Sequence, residues 1–418
     1  MNLNNSGMRA AMLAVVLVSI VSIGAQNASA ATVVVGSCRA GNNFGTIQDA
    51  INNTSAGSTI LICPGTYLEQ LDINRDLTLT GIASGNSDAV IIASPLGGLV
   101  KNTTSLATGN PIAAHVLADV NATVNLNNLI VDSSGNKIAA CTPELVGIFY
   151  RNTSGTLKEV VTRNQWIGAS ESDTTLNGCQ TGLGIFAQSG RGLTSVVTVE
   201  NSSVHDYQKN GITGNEIGTT ITVKNSSVVG QGATNGAAEN GIQIGFGANG
   251  TVSGNTVIDD VWAPDTSSDP GDAAAGILLF DAASGAVAVT LNTVGNTQFG
   301  IALVTDTAAE DDGEQVVSNK VFGTRIFDAI DVCSNSNVVK SNTIMNSTES
   351  AIHLDASCPS TGNNNTVTNN TVRDASVGIL KDAGVSGNTT TPNSFATTIT
   401  TDPSGNARSQ LLFQPARP

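Results

Sequence analysis

Two short patterns alternate along this chain from residue 124 onward, nine times each without exception. The first is V-x-x-N-x-V. It reads VNLNNL (124–129), VTRNQW (161–166), VENSSV (199–204), VKNSSV (223–228), VSGNTV (252–257), VTLNTV (289–294), VVSNKV (316–321), VKSNTI (339–344) and VTNNTV (367–372). The second is a small residue before isoleucine, from Gly147-Ile148 and Gly184-Ile185 through Gly241-Ile242 to Ala351-Ile352 and Gly378-Ile379. The shortest repeats are 23 and 24 residues long. Apolar residues alternate within each repeat in runs too short for helices, and no 3.6-residue period is long enough for a crossover helix. Strands that bond in register from repeat to repeat, without helices, wind into a parallel β-solenoid. Asn127, Asn164, Asn255, Asn292, Asn319, Asn342 and Asn370 fall at one position, with Ser202 and Ser226 in the other two repeats. Asparagine tolerates the left-handed backbone of a tight bend. Stacked once per coil, its side-chain amides are expected to bond to one another along the axis.

The chain opens with Arg9, an apolar run from Ala10 to Ile23 and then Ala28-Ser29-Ala30. That is the layout of a secretory signal peptide cleaved after Ala30. The apolar run is short of the roughly 20 residues of a bilayer span, and no membrane insertion is expected after cleavage. The expected location is secreted, cell-surface or periplasmic. The formal charge is −15, and −16 for residues 31–418, because the leader carries Arg9 and no acid. A field of that sign excludes nucleic acid as a partner. Low charge with many β-branched and turn-forming residues reads as all-β rather than disordered.

Ahead of the repeats, Thr46 and Asp49 form a capping-box-like pair for a short helix with Ile47, Ala50 and Ile51 on one face. Strand-like runs follow at 59–62, 68–73 and 77–80. A small amphipathic helix is a natural plug for the unpaired edge of a first coil. The strings T-I-Q-x-A-I (Thr46–Ile51), P-G-T-Y-x-E (Pro64–Glu69) and L-T-L-x-G (Leu77–Gly81) resemble the opening of right-handed parallel β-helix proteins of the pectin-lyase-like superfamily, pectin methylesterases among them. The resemblance covers about residues 44–395 and implies an all-β, single-stranded right-handed parallel β-helix of about a dozen coils. The expected organisation is a signal peptide over 1–30, a cap over 31–58, coils over about 59–395 and an extended tail over 396–418.

The active-site signatures of the enzymes in that superfamily are mostly missing. There is no D-F-I-F-G, L-G-R-P-W, G-H-G or R-I-K string, and Asp269-Pro270-Gly271-Asp272 puts glycine where epimerases carry the histidine of D-P-H-D. Copper-linked β-helix proteins of nitrous oxide metabolism are also relatives, but four methionines and three scattered histidines argue against a copper role.

Six cysteines, with no C-x-x-C, imply three disulfides in an exported protein. Cys141 and Cys179 lie 14 and 15 residues after the asparagine positions of adjacent repeats and are expected to meet. Cys38 pairs with Cys63 in the cap, and Cys333 with Cys358 across successive coils.

Isoleucine points inward in each small-Ile strand, so the next residue points outward. That column reads Phe149, Phe186, Thr213, Gln243, Leu278, Ala302, Asp331, His353, Leu380, and the next outward column ends in Cys333, Asp355, Asp382. His353 is thus expected among Asp331, Asp355 and Asp382 on a solvent-facing patch, a candidate acid–base site. An exposed ion pair is, however, an ordinary surface contact. Long insertions follow the asparagine position in four repeats and should lie along one side of the solenoid, where binding is expected. Trp262 with Asp259, Asp260 and Asp265 is the candidate ligand-binding loop there, and Trp166 reads as core. An acidic loop with Asp306, Asp311 and Asp312 carries the ligand types of a calcium site, but its spacing matches no EF-hand loop and it reads as a solvated acidic loop. These features describe a monomeric, non-catalytic exported scaffold without a required cofactor, binding an extracellular polysaccharide or surface protein. The alternative is a polysaccharide lyase, glycoside hydrolase or epimerase with an unrecognised site.

Overall fold

The computed structural model describes residues 30–41, 43–83, 89–168, 175–176, 178–234, 236–262, 272–307, 312–396, 400–405, 412–413 and 415–418. Residues 1–29 of the proposed signal peptide, Asp265 and Asp311 lie outside them. The chain winds into a right-handed parallel β-helix. One face is a 13-stranded sheet, and the other two faces run together as a 24-stranded sheet. All strand pairs in the coils are parallel, and the antiparallel exception is a short pair, Thr103–Thr104 with Pro111–Ala118.

The two sequence patterns become two inner columns. Val252 pairs with Val289, Val289 with Val316, Val316 with Val339 and Val339 with Val367. Ile277, Ile301, Ile330, Ile352 and Ile379 stack in the same way on the opposite wall. Both columns lie in one continuous core that runs the length of the coil. The residue before each isoleucine is small for a steric reason. A Cβ on Gly241 would lie 2.3 Å from Val257 Cγ1, and one on Gly184 would lie 2.5 Å from Val204 Cγ1 and 2.6 Å from the Gly211 carbonyl.

The asparagine ladder forms from Asn255 through Asn292, Asn319, Asn342 and Asn370, and it extends to Asn393. Each Nδ2 donates to the next Oδ1 at 3.0–3.1 Å and also to an inner valine carbonyl. The same Oδ1 accepts the backbone N–H of the preceding rung. Ser202 and Ser226 continue it through their hydroxyls. Asn127 and Asn164 do not belong to it. Strand register pairs Asn127 with Lys158, and Val161 with Ile130 and Ser203, so buried Leu129 and Val160 hold the ladder position in those coils. Two leucine- or valine-spaced frames overlap there, and the frame with asparagine is the wrong one. A second ladder, Glu314–Asn337–Asn365–Asn388, runs along another corner with backbone-to-side-chain bonds of 2.7 Å.

The helix Ile47–Asn53 plugs the first coil with Ile47, Ala50 and Ile51 buried. Thr46 accepts from the Asp49 N–H at 3.1 Å, and the Glu69 carboxylate accepts the N–H groups of Ile47 and Gln48, both at 2.8 Å. Glu69, just past the strand Gly65–Leu68, therefore caps the helix, where an anion at a helix N-terminus is stabilising. All three expected disulfides are present. Cys141 and Cys179 meet although the two asparagines used to align them are not equivalent.

Candidate functional sites

The small-Ile strands stack as expected, with Asp331 opposite His353 and Leu380 beyond it. The expectation of a solvent-facing patch is wrong. His353 is 0% exposed, and Asp331, Asp355 and Asp382 are at most 3% exposed. A further carboxylate, Asp328, comes from the bend before the Asp331 strand. His353 Nδ1 lies 3.2 Å from Asp328 Oδ2 and 3.7 Å from Asp331 Oδ1, and Nε2 lies 3.1 Å from Asp382 Oδ1. Asp328 also accepts from the N–H and hydroxyl of Ser350, and Asp355 is held by Ser357. Burial pulls the His353 imidazole down, but the neighbouring Asp328 charge and the bonds to Asp328 and Asp382 outweigh it and hold the ring well above its ordinary range. Burial raises Asp355, and the His353 charge only partly offsets it. Burial pushes Asp382 up too, yet its bonds from His353 and the Ala356 N–H hold it below the usual carboxylate value. A charged imidazolium clamped between carboxylates is the result. Sequence reasoning missed Asp328 because it sits in a bend outside the alternating columns.

Two groups of described side chains have the spacing to hold an ion: Asp328–Asp331–His353 and His353–Asp355–Asp382. Asp306 and Asp312 are not among them. Asp312 instead accepts the Asn335 N–H at 2.7 Å, tying two coils together, and the turn at Asp306 is held by Asp281.

Among the candidate ligand-binding residues of the Trp262 loop, Asp260 does not face a ligand. It is 0% exposed and turned into the coil, where Tyr207 Oη donates to it at 2.5 Å. Burial raises Asp260 and Glu239 far above the carboxylate range, with each carboxylate adding to the shift of Glu239 or Tyr207. Asp259 adopts φ +70° and accepts from Asn296 Nδ2. Trp262 is half-buried and its Nε1 donates to Gly236 O at 3.1 Å, so the ring is tied to the insertion of the preceding repeat.

Trp166 is not core. It is half-buried and lines a cleft of about 550 Å³ on the long-insertion side, with Lys137, Ile138, Thr175 and Leu176. The Cys141–Cys179 bridge joins the two insertions that build this cleft. The frame error at Asn164 is what placed Trp166 inside.

A family described as periplasmic copper-binding protein (NosD) matches residues 210–410. No curated protein matches the chain. Among solved structures, the GH136 lacto-N-biosidase from Eubacterium ramulus superposes with a TM-score of 0.53 at 11% identity, covering 92% of this chain and 68% of that one. The periplasmic alginate epimerase AlgG gives 0.46 at 11% identity over 87% and 83% of the two chains. The surface protein and adhesin PfbA of Streptococcus pneumoniae gives 0.46 at 12% over 84% and 94%. At these identities the likeness is one of fold.

Proposed function

We propose that this right-handed parallel β-helix, which resembles the pectin-lyase-like superfamily in its fold and matches the NosD family over residues 210–410, is an exported scaffold that binds carbohydrate on its long-insertion side. Its three disulfides suit an oxidising, exported setting. The observation that carries the reading is the half-buried Trp166 in the disulfide-pinned cleft. An indole face offers apolar area to the C–H side of a sugar ring, and Lys137 beside it can meet hydroxyl or acidic groups. Copper does not fit. His115 is buried between Ser133 Oγ and the Glu69 carbonyl, His205 pairs with Asp206, and His353 is ringed by carboxylates. The described clusters are oxygen-rich with one imidazole each, a poor match to copper's preference for several nitrogen or sulfur donors.

A glycan array probed with the wild-type chain, Trp166→Ala and Trp262→Ala tests the proposal. Trp166→Ala should weaken the best glycan about tenfold, equivalent to ~1.4 kcal/mol, while Trp262→Ala changes it little. No bound glycan, or equal binding by Trp166→Ala, would sink it.

A second reading, a carbohydrate-active enzyme, draws on one observation, the Asp328–His353–Asp382 chain of contacts. Its burial opposes the reading, because a general acid or base must reach its substrate. Depolymerisation of a polysaccharide panel that disappears in His353→Gln, with the fold retained by circular dichroism, would favour the enzyme.

A further inference from the structure

The outward column of the small-Ile strands changes character along the axis. At one end Phe149 and Phe186 stack at 4.8 Å within an apolar cluster. Beyond the middle, Leu278, Phe280 and Phe299 form another. The two coils between them present buried polar groups instead: Asn210, Thr213 and Asn215, then Asn240 and Gln243.

The segment Pro415–Pro418 lies across this notch, and it arrives from far away in sequence. Gln243 Nε2 donates to the Ala416 carbonyl at 2.9 Å, and Gln243 Oε1 accepts the Ala416 N–H at 2.8 Å. One side-chain amide thus satisfies both backbone groups of one residue, as a neighbouring strand would. Asn215 Nδ2 adds a second bond to the same carbonyl at 2.6 Å. The reading amide is itself fixed, by Asn210 Nδ2 at 2.9 Å and by Asn215 Oδ1 at 3.0 Å. The Ala416 side chain is fully buried in the cluster with Phe149 and Phe186. Arg417 then forms a two-point pair with Glu216 at 2.9 and 3.1 Å and places its guanidinium 4.3 Å from the Phe246 ring. Arg417 also forms part of the wall of a cleft of about 490 Å³ with Arg191, Ile217 and Asp281.

Backbone bonds from fixed amides, a slot that encloses a methyl group and a two-sided arginine clamp are the elements of peptide recognition. We infer that the coils carrying Asn215 and Gln243 are a peptide-recognition site for an extended segment with a small residue followed by arginine. Pro415–Pro418 is its occupant in cis, and the same segment of a second copy is the partner that fits when the cis copy leaves.

The test uses full-length protein. Ala416→Trp with Arg417→Glu expels the cis segment, because the slot encloses alanine and Glu216 repels the new charge. A fluorescent peptide with the native sequence of residues 414–418 is then titrated by anisotropy. The double variant should bind it saturably and at least tenfold more tightly than wild type. Adding Glu216→Ala to the double variant, or replacing the arginine of the peptide by alanine, should each weaken binding at least tenfold. No binding by the double variant, no advantage over wild type, or indifference to both the Glu216→Ala and the arginine changes would overturn the inference. Glycan binding at Trp166 is unaffected by either result.

Discussion

His353 has no access to solvent and four carboxylates around it, so its contribution is to stability before it is to chemistry. Removing one partner of a buried ion pair strands the other, at a cost of about 3–5 kcal/mol. His353→Ala should lose that much in urea unfolding at pH 6. An exposed pair would have lost less than about 1 kcal/mol. The folded-state pKa is raised. The cluster therefore contributes fully below the unfolded-chain value near 6.5, and its contribution falls as pH rises through the folded value. The gap between wild type and His353→Ala should narrow as unfolding is repeated from pH 6 to pH 9. A gap that widens with pH would contradict the charged imidazolium. His115 works in the other direction. Burial lowers it to about 4 against hydrogen bonds to the Ala93 and Glu69 backbone, so it is neutral in the fold. Its stabilising contribution is present above pH 6.5 and is lost as pH falls towards 4.

At the scale of the element, each ladder asparagine serves the coil before it. Asn342 Oδ1 accepts both the backbone N–H and the Nδ2 of Asn319, at 2.8 and 3.1 Å. Asn342→Ala leaves two buried donors of Asn319 without that acceptor. The expected cost is about 2–4 kcal/mol, since each unsatisfied buried group costs roughly 1–3. Asn127→Ala should fall within about 0.5 kcal/mol, because Asn127 is half-buried and bonded only to Thr80 Oγ1 at 3.3 Å. Thermal melts of the two variants give the comparison, and equal shifts would mean that Asn127 shares the ladder after all. The asparagine spacing was legible in the later repeats, where asparagine and valine occur in only one frame. It misled in the first two, where Asn127 and Asn164 sit near the true position but outside it. Register there is decided by which residues can be buried, and Leu129 and Val160 are the apolar choice.

For the whole molecule, a solenoid is stabilised by contacts between neighbouring coils, and its ends are its weak points. The Glu69 carboxylate holds the plugging helix by two first-turn N–H groups. Glu69→Ala should free that helix and bare the edge of the first coil, which is a template for pairing with another chain. Size-exclusion chromatography should then show self-association that grows with protein concentration, together with a melting point lowered by several degrees for a loss of about 1–2 kcal/mol. A monomeric variant with an unchanged melt would show that the helix is held by Ile47 and Ile51 alone.

The alternation of inner valine and small-Ile positions determined the parallel coil and its inner columns, and the pattern from Thr46 to Ile51 determined the capping helix. Those features depend on local periodicity and on a spacing that repeats, and both are written along the chain. Which outward residues meet water was not written there. His353, Asp331, Asp355 and Asp382 are nonetheless interior, and the bend at Asp328 in the adjacent coil closes on the imidazole. Pro415–Pro418 likewise reaches Gln243 across 173 positions. Period-two alternation assigns a side of the strand, but only the fold determines whether that side is covered, because coverage depends on contacts between residues far apart in the chain.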